Sequence, residues 1–329
     1  MKTRISFRYI LIAVVVACIS LPVVAQTSPK RLKVGLVLGG GGAKGAAEVG
    51  VLKVIERAGI PIDFIAGTSI GSIVGGLYST GWRAESLDSM FRSQEWISLL
   101  TDRDDASRGK IFSEKDGVTY VFGFPISRQG SAKADPSFGI MRGDKVVELL
   151  QRMTNQTDSI SFDALPIPFR CVAADINKQE EVVISGGHLP TAMRASMAIP
   201  GVFKPVKMHG HVLFDGGMMN NLPVDVVKNM GADVVIAVDL TQNKHDTRDF
   251  SLKETLGIGG LLDWAISRPD WEKYNDNLEM VDVYINPDLE GFSASSFNKD
   301  AILQMMTIGE RAAEAQKGEL EKLKQQIYR

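Results

Sequence analysis

Continuous apolar runs alternate with amphipathic stretches along most of this chain. The apolar run 33–38 precedes a glycine loop and the amphipathic stretch 46–58, and the run 62–66 precedes a second glycine turn and the stretch 70–78. Uninterrupted apolar runs are typical of strands buried on both faces, whereas apolar residues at a helical period are typical of amphipathic helices. The repeated strand–helix order predicts an α/β fold, with a mainly parallel sheet and helices on both of its faces.

The same pattern continues to the end of the chain. The further predicted strands are 168–174, 181–184, 206–209, 211–214, 233–239 and 281–285. The further predicted helices are 83–91, 142–153, 189–198, 223–230 and 298–328. The last helix becomes rich in Glu, Lys and Gln, and we expect it to fray there. Two polar, turn-rich stretches at 101–110 and 127–137 interrupt the pattern, and they indicate either a cover over a binding site or surface decoration.

The most informative stretch is Gly67-Thr-Ser-Ile-Gly71, which lies between a predicted strand and a predicted helix. Glycines two residues before and two residues after Ser69 leave room for a tight turn that exposes the serine hydroxyl. The following helix would direct its N–H groups and positive dipole end toward that hydroxyl. The pattern predicts a nucleophilic serine, with an ordinary glycine-rich turn as the alternative.

Two further motifs also follow predicted strands. One is the glycine loop 39–45, and the other is Asp215-Gly-Gly217. In open parallel sheets, ligands bind in the crevice beyond the carboxyl ends of the strands. We therefore expect the glycine loop, Ser69 and Asp215 to converge.

The amino terminus predicts export. Lys2, Arg4 and Arg8 precede an apolar run, and small residues at 23–25 would permit cleavage before Gln26. We expect a signal peptide at 1–25, a single domain at 26–329, and a periplasmic, outer-membrane-associated or extracellular protein. An uncleaved membrane anchor and a lipidated Cys18 are the alternatives.

Charge and cysteine content exclude several classes of partner. The chain has 37 Lys and Arg against 39 Asp and Glu, and the predicted signal contains three of the basic residues and no acidic ones. The sequence therefore shows no basic patch of the kind that binds nucleic acid.

Cys171 is the single cysteine after the predicted signal, so no internal disulfide can form. We interpret Cys171 as a small hydrophobic residue in the core. The histidines show no ligand spacing beyond His209-x-His211, and we expect neither metal nor cofactor.

Four motifs together resemble the patatin-like phospholipases. They are Gly40-Gly-Gly-Ala-Lys-Gly45, Gly67-Thr-Ser-Ile-Gly71, Ala195-Ser-Met-Ala-Ile-Pro200 and Asp215-Gly-Gly217, in the order that the family shows. The resemblance covers a core at 33–239 and extends to the final strand and helix at 281–329. It implies a three-layer α/β fold, a Ser–Asp dyad without histidine, and cleavage of acyl esters of lipids at a membrane surface.

The resemblance also assigns residues. Ser69 would be the nucleophile and Asp215 the base. The oxyanion hole would contain Gly40, Gly41, Gly42 and Lys44. The supporting motif glycines would be Gly45, Gly67, Gly71, Gly216 and Gly217. Lys44 departs from the family, which usually has arginine there, so the charge is kept but the planar fork is lost. Ser196 and Pro200 are interpreted as a helix end and a turn that pack beside the turn carrying Ser69, the nucleophile elbow, and have no chemical role.

Two alternative functions come from other classes. Gly40-x-Gly42-x-x-Gly45 after a strand, with Asp63 further along, also fits a dinucleotide-binding fingerprint. However, Asp63 begins its predicted strand, so it would lie at the wrong edge of the sheet for a ribose. A phosphate-binding loop fails because Gly45 follows Lys44 where serine or threonine is needed. The second alternative is a catalytically inactive lipid-binding protein. Such a protein would be expected to lack Ser69 or Asp215, and both residues are present.

Overall fold

The computed structural model describes residues 31–102, 113–115, 118–120, 141–242 and 270–328. The strands are β1 (Val34–Leu38), β2 (Phe64–Thr68), β3 (Ser113–Lys115), β4 (Val118–Tyr120), β5 (Ile160–Ser161), β6 (Phe169–Asp175), β7 (Glu180–Ile184), β8 (Gly186–Gly187), β9 (Val206–Met208), β10 (His211–Asp215), β11 (Val234–Val238) and β12 (Val283–Ile285). The α-helices are α1 (Ala46–Ala58), α2 (Ile70–Ser79), α3 (Ala84–Ser93), α4 (Trp96–Leu100), α5 (Asp144–Thr154), α6 (Leu189–Ser196), α7 (Val224–Asn229), α8 (Trp271–Glu279), α9 (Lys299–Ala315) and α10 (Lys317–Ile327).

The central sheet has the order β12-β11-β1-β2-β6-β10-β9, with β7 paired to β6 as well. The pairs from β12 to β6 are parallel, whereas β10, β9 and β7 join in antiparallel pairs. Alternate residues of the central strands enter different apolar clusters: Leu36 and Ile65 lie in one, and Val37 and Ala66 lie with Val227 of α7 in the other. The predicted α/β fold, with a mainly parallel sheet covered on both faces, is confirmed.

One exchange of partners along β6 determines where the site forms. β2 pairs with β6 as far as Thr68 opposite Val172, and β10 then takes over at Ala173, which lies opposite Asp215. Because β7 occupies the other edge of β6 at these positions, β10 must continue on the edge that β2 leaves. The turn that follows β2 therefore meets the end of β10.

Most predicted elements are present with ends shifted by a few residues, but the terminal helix was wrong in two respects. Gln316 separates α9 from α10, where one helix over 298–328 was predicted. The end also does not fray: Leu320, Leu323 and Ile327 are buried, and Ile327 O accepts the backbone N–H of Leu32. Leu320, Leu323 and Ile327 recur at helical spacing on α10, so they lie on one face and join the core cluster although charged residues surround them in the sequence.

α9 packs on α1 at backbone distance. A Cβ added at Gly50 would lie 2.0 Å from Met306 O, and one added at Gly309 would lie 2.0 Å from Ala47 O. Real Cβ atoms do not approach so closely, so glycine is required on both helices. The C-terminal part of the chain is thus fixed against the helix that follows the glycine loop.

Several predictions fall outside the described residues. They are the signal peptide at 1–25, the alternatives at Cys18, and nearly all of the two polar stretches at 101–110 and 127–137. Among the described residues, no helix is both long enough and apolar enough to cross a membrane.

Candidate active site

Ser69 lies in a strained turn between β2 and α2. Its backbone has φ 54° and ψ −122°, a region that non-glycine residues rarely adopt and that costs about 1–3 kcal/mol. A Cβ at Gly67 would lie 2.3 Å from Gly71 O, and one at Gly71 would lie 2.2 Å from Leu38 O. Both motif glycines are therefore required by contact with backbone, as the sequence pattern indicates for a nucleophile elbow.

Asp215 ends β10 directly beside this elbow. The Ser69 hydroxyl donates to Asp215 Oδ2 at 2.7 Å, and the backbone N–H of Gly217 donates to Asp215 Oδ1 at 2.8 Å. The two side chains are buried, with Ser69 3% and Asp215 4% exposed. Burial raises the pKa of Asp215 to about 6, although the hydrogen bonds from Gly217 and Ser69 oppose the rise. The carboxylate can therefore be ionised at neutral pH and still accept a proton more readily than an ordinary aspartate.

Two other hydroxyl groups hold the backbone of Ser69. Its N–H donates to Ser196 Oγ at 2.8 Å, and its carbonyl oxygen accepts from Ser72 Oγ at 2.6 Å. Ser196 Oγ in turn donates to Val172 O at 2.5 Å. The sequence interpretation gave Ser196 only a packing role, whereas the structure places it in contact with the backbone of the predicted nucleophile.

The glycine loop lies against the nucleophile. A Cβ added at Gly40 would lie 3.2 Å from Ser69 Cβ, so the loop passes close beside the elbow. The Gly40 N–H donates to Asn221 O at 3.2 Å, and the Ala43 N–H donates to Ala294 O at 2.8 Å. The N–H groups of Gly41 and Gly42 donate to no backbone carbonyl within the described residues.

The remaining predicted residues surround this centre. A Cβ at Gly45 would lie 2.2 Å from Ile70 Cγ1, so Gly45 permits contact between the loop and the first turn of α2. A Cβ at Gly216 would lie 2.3 Å from Val172 O, which keeps the Asp215 turn against β6. Lys44 lies in a short 3₁₀ turn, Gly42–Gly45, and is partly buried. The structure therefore brings all four motifs to one edge of the sheet.

Asn221 joins the glycine loop to the Asp215 turn, and sequence reasoning did not identify it. Its Nδ2 donates to Gly40 O and to Thr241 Oγ1, each at 3.3 Å, while its buried Oδ1 has no hydrogen-bond partner among the described residues. That oxygen would lie 2.3 Å from a Cβ at Gly40 and 2.8 Å from one at Gly217. Its signal in the sequence was only its proximity to the Asp-Gly-Gly motif.

The described histidines have partners away from Ser69. His188 Nδ1 lies 2.7 Å from Thr191 Oγ1, His209 Nε2 lies 3.3 Å from Gly186 O, and His211 Nδ1 lies 3.1 Å from Asp175 Oδ2. His245 lies outside the described residues. Among the residues that the structure describes, the Ser69 hydroxyl has one side-chain acceptor, the Asp215 carboxylate.

One group of possible metal ligands lies in the described part of the chain. It contains Asp175, Glu180 and His211 at the β6–β7 turn and the start of β10. Lys178 Nζ lies 3.3 Å from His211 Nδ1 and 3.6 Å from Glu180 Oε1, so the chain supplies its own cation there. His209 lies in the tight turn before β10, with φ 51°, and not on the same strand face as His211. The expectation that no metal is needed stays a prediction.

Asp63 does not lie where a dinucleotide would need it. It precedes β2, and its Oδ2 accepts the backbone N–H of Val34 at 2.8 Å, at the start of β1. That is the edge of the sheet opposite the glycine loop. The geometry therefore does not support a ribose contact by Asp63.

A cleft of about 430 Å³ lies beside α7 and α8, away from the predicted site residues. Its walls carry four carboxylates and one ammonium. The lining residues are Asp225, Asp270, Glu272, Lys273, Asp276, Asn277 and Met280. Because five of the seven lining residues are charged, this cleft does not suit the acyl chain of a lipid substrate.

Comparisons with known proteins cover the same region. A family model described as patatin-like phospholipase matches residues 36–228, more than half of the chain. The chain is 30% identical over 260 residues to neuropathy target esterase sws of Drosophila melanogaster, covering 78% of this chain and 16% of that protein. It is 30% identical over 293 residues to lysophospholipase nte1 of Aspergillus fumigatus, covering 83% of this chain and 17% of that protein.

The chain thus spans less than a fifth of the length of these two curated relatives. Among solved structures, the type III effector protein ExoU of Pseudomonas aeruginosa covers 90% of this chain and 54% of its own, with 13% identity and a TM-score of 0.47. The family model covers the glycine loop, the Ser69 elbow and the Asp215 turn together. On this match, the chain belongs to the patatin-like phospholipase family.

Proposed function

We propose that the chain is a serine acyl hydrolase that cleaves carboxylic ester bonds of lipids through a Ser69–Asp215 dyad. The observation that carries the proposal is the 2.7 Å hydrogen bond from Ser69 Oγ to Asp215 Oδ2, made by a serine in a strained turn at the edge of the sheet. Membership of the family and the names of the two relatives, an esterase and a lysophospholipase, support the substrate class.

In the acylation step, Ser69 Oγ attacks the ester carbonyl carbon while its proton passes to Asp215. The tetrahedral intermediate then collapses, the bond to the leaving alcohol breaks, and that alcohol takes the proton from Asp215. In the second step water attacks the carbonyl carbon of the acyl-serine and passes a proton to Asp215. The bond from that carbon to Ser69 Oγ then breaks, the carboxylic acid leaves, and Ser69 Oγ takes the proton back from Asp215. A base whose pKa lies near the working pH serves both directions of this proton transfer, and burial of Asp215 provides that shift.

The oxyanion would be stabilised by the backbone N–H groups of Gly41 and Gly42. The Gly40 N–H donates to Asn221 O, so Gly40 would contribute close approach to Ser69 and not a donor. Lys44 would contribute positive charge beside a phosphate or the oxyanion. Removing one such donor typically lowers kcat by about 10²–10³.

The proposed substrate is an acyl ester of a lipid at a membrane surface, reached by an exported protein. Its support is the family membership and the basic, apolar amino terminus at 1–25. Native protein isolated from its host should begin near Gln26 and lie outside the cytoplasm. An intact Met1 on that protein would count against export.

The test of function uses the mature chain with a p-nitrophenyl ester, a fluorophosphonate probe and mixed bilayer lipids. We expect hydrolysis, a covalent adduct on Ser69, and fatty acid products seen by mass spectrometry. Ser69→Ala and Asp215→Asn should both abolish turnover while each variant stays folded. Lipid binding without an adduct on Ser69 would favour the inactive lipid-binding protein.

A further inference from the structure

The motif Ala195-Ser-Met-Ala-Ile-Pro200 contacts the backbone of both members of the dyad. Ser196 Oγ accepts the N–H of Ser69 at 2.8 Å, and Ala198 O accepts the N–H of Asp215 at 3.0 Å. The two contacts come from positions two residues apart, at the end of α6. One short segment therefore spans the nucleophile and the base.

Ser196 is the member of this segment that acts through a side chain. Its hydroxyl is fully buried, accepts from the N–H of Ser69 and donates to Val172 O at 2.5 Å. Val172 is the β6 residue at which β2 ends and after which β10 begins. Ser196 thus links the elbow to the strand that aligns Asp215.

The backbone of Ser69 needs such support. A serine at φ 54° and ψ −122° is held there only when its surroundings over-determine the conformation. Ser72 Oγ fixes the Ser69 carbonyl at 2.6 Å, and Ser196 fixes the N–H. Without Ser196, the peptide before Ser69 could rotate, and Oγ would leave the direction of Asp215.

We propose that Ser196 is a positioning residue for the nucleophile, which sets the direction of Ser69 Oγ toward Asp215 by holding the Ser69 N–H. This inference rests on the proposed hydrolase function. It also has a consequence for the oxyanion: the Ser69 N–H is already committed, so it is not a donor to the substrate. Ser196 is fully buried, so it would act through Ser69 and not by contact with substrate.

The experiment compares wild type, Ser196→Ala, Ser196→Cys and the control Ser79→Ala. Ser79 is equally buried and donates to Gly76 O at 2.7 Å, at the far end of α2. Removing its hydroxyl therefore leaves the hydrogen bonds of the Ser69 backbone in place. Steady-state kinetics with a p-nitrophenyl ester should show kcat lowered between about 10- and 100-fold in Ser196→Ala, with KM within about twofold of wild type. Ser196→Cys keeps the shape but accepts weakly, so it should fold and show a smaller fall in kcat, while Ser79→Ala keeps wild-type kcat.

Crystal structures of the same variants provide a readout that does not depend on turnover. In Ser196→Ala or Ser196→Cys, the distance from Ser69 Oγ to Asp215 Oδ2 should exceed hydrogen-bond length, and in Ser79→Ala it should not change. If wild type turns over and both Ser196 variants keep its kcat, or if the distance is unchanged in both, the inference is overturned. If wild type shows no turnover but the distance changes as expected, Ser196 positions Ser69 and the hydrolase proposal fails.

Discussion

Replacing Asp215 with asparagine should stabilise the protein at neutral pH while abolishing catalysis. Burial raises the pKa of Asp215 from the usual 3.8 to about 6. Each pKa unit corresponds to about 1.4 kcal/mol, so keeping this carboxylate ionised costs up to about 3 kcal/mol of folding free energy. Asparagine has the same shape, its oxygen can still accept the Gly217 N–H, and it carries no charge to bury.

The sign of the pH dependence follows from linkage. A raised pKa in the folded state means that the native protein binds the proton on Asp215 more tightly, so the contribution of Asp215 to stability is fully present below pH 3.8 and is lost as the pH rises through about 6. The free energy of unfolding of Asp215→Asn should therefore exceed that of wild type by about 1–3 kcal/mol at pH 7.5, and by about 1 kcal/mol or less at pH 4.5.

The assay is urea unfolding of wild type and variant at both pH values, with equal slopes required for a two-state comparison. Asp88→Asn is the control of opposite sign. Burial alone would raise the pKa of Asp88, but hydrogen bonds from Arg92 and Lys53 outweigh burial and lower it. That variant should be destabilised at pH 7.5. The reasoning would be refuted if Asp215→Asn were less stable than wild type at pH 7.5, or if the difference in free energy of unfolding between the two proteins were the same at both pH values.

Four further outcomes are expected. Since Asp215 must be ionised to act as base, kcat/KM should fall below an apparent pKa near 6, to about a tenth of its plateau at pH 5; a flat profile between pH 5 and 8 would contradict this. His188→Gln, His209→Gln and His211→Gln should each keep most of the activity, and a dead variant among them would indicate a triad. Chelators should leave ester hydrolysis unchanged, whereas activity restored only by added zinc or calcium would overturn the dyad. Glu48 is fully buried, both of its carboxyl oxygens lack a hydrogen-bond partner among the described residues, and burial raises its pKa well above the ordinary value. Glu48→Leu should therefore raise stability at pH 8 by about 1–3 kcal/mol, and a lower melting temperature would show that the carboxyl has a role.

Local pattern was enough to predict the positions of the two residues of the proposed dyad. Ser69 stands between glycines after an apolar run, and the structure shows that Gly67 and Gly71 each face backbone oxygen at distances that no Cβ tolerates. Asp215 ends a strand in a glycine turn. These signals are local because a turn is determined by the few residues that form it. The rule that strand ends share an edge then brought both residues to the same crevice.

What the sequence could not supply was the set of contacts between distant parts of the chain. Ser196 meets Ser69 across 127 residues, and nothing in its motif shows which backbone group its hydroxyl would bind. The exchange of β2 for β10 along β6 could not be predicted either, because the pattern of apolar and polar residues shows where a strand lies but not which strand it pairs with. Asn221 and the break at Gln316 were missed for the same reason, since packing determines both.

The contact between α9 and α1 determines how short a fragment of the chain can be and still keep the glycine loop in place. The family match ends at residue 228, but Ala294 O holds the Ala43 N–H in the glycine loop, and Gly309 lies against the backbone of Ala47 just after that loop. A fragment cut at the end of the match would release the loop on one side and expose the apolar face of α1. A fragment intended to test the proposed hydrolase should therefore extend through residue 327, because the segment after the family match contacts the glycine loop and α1.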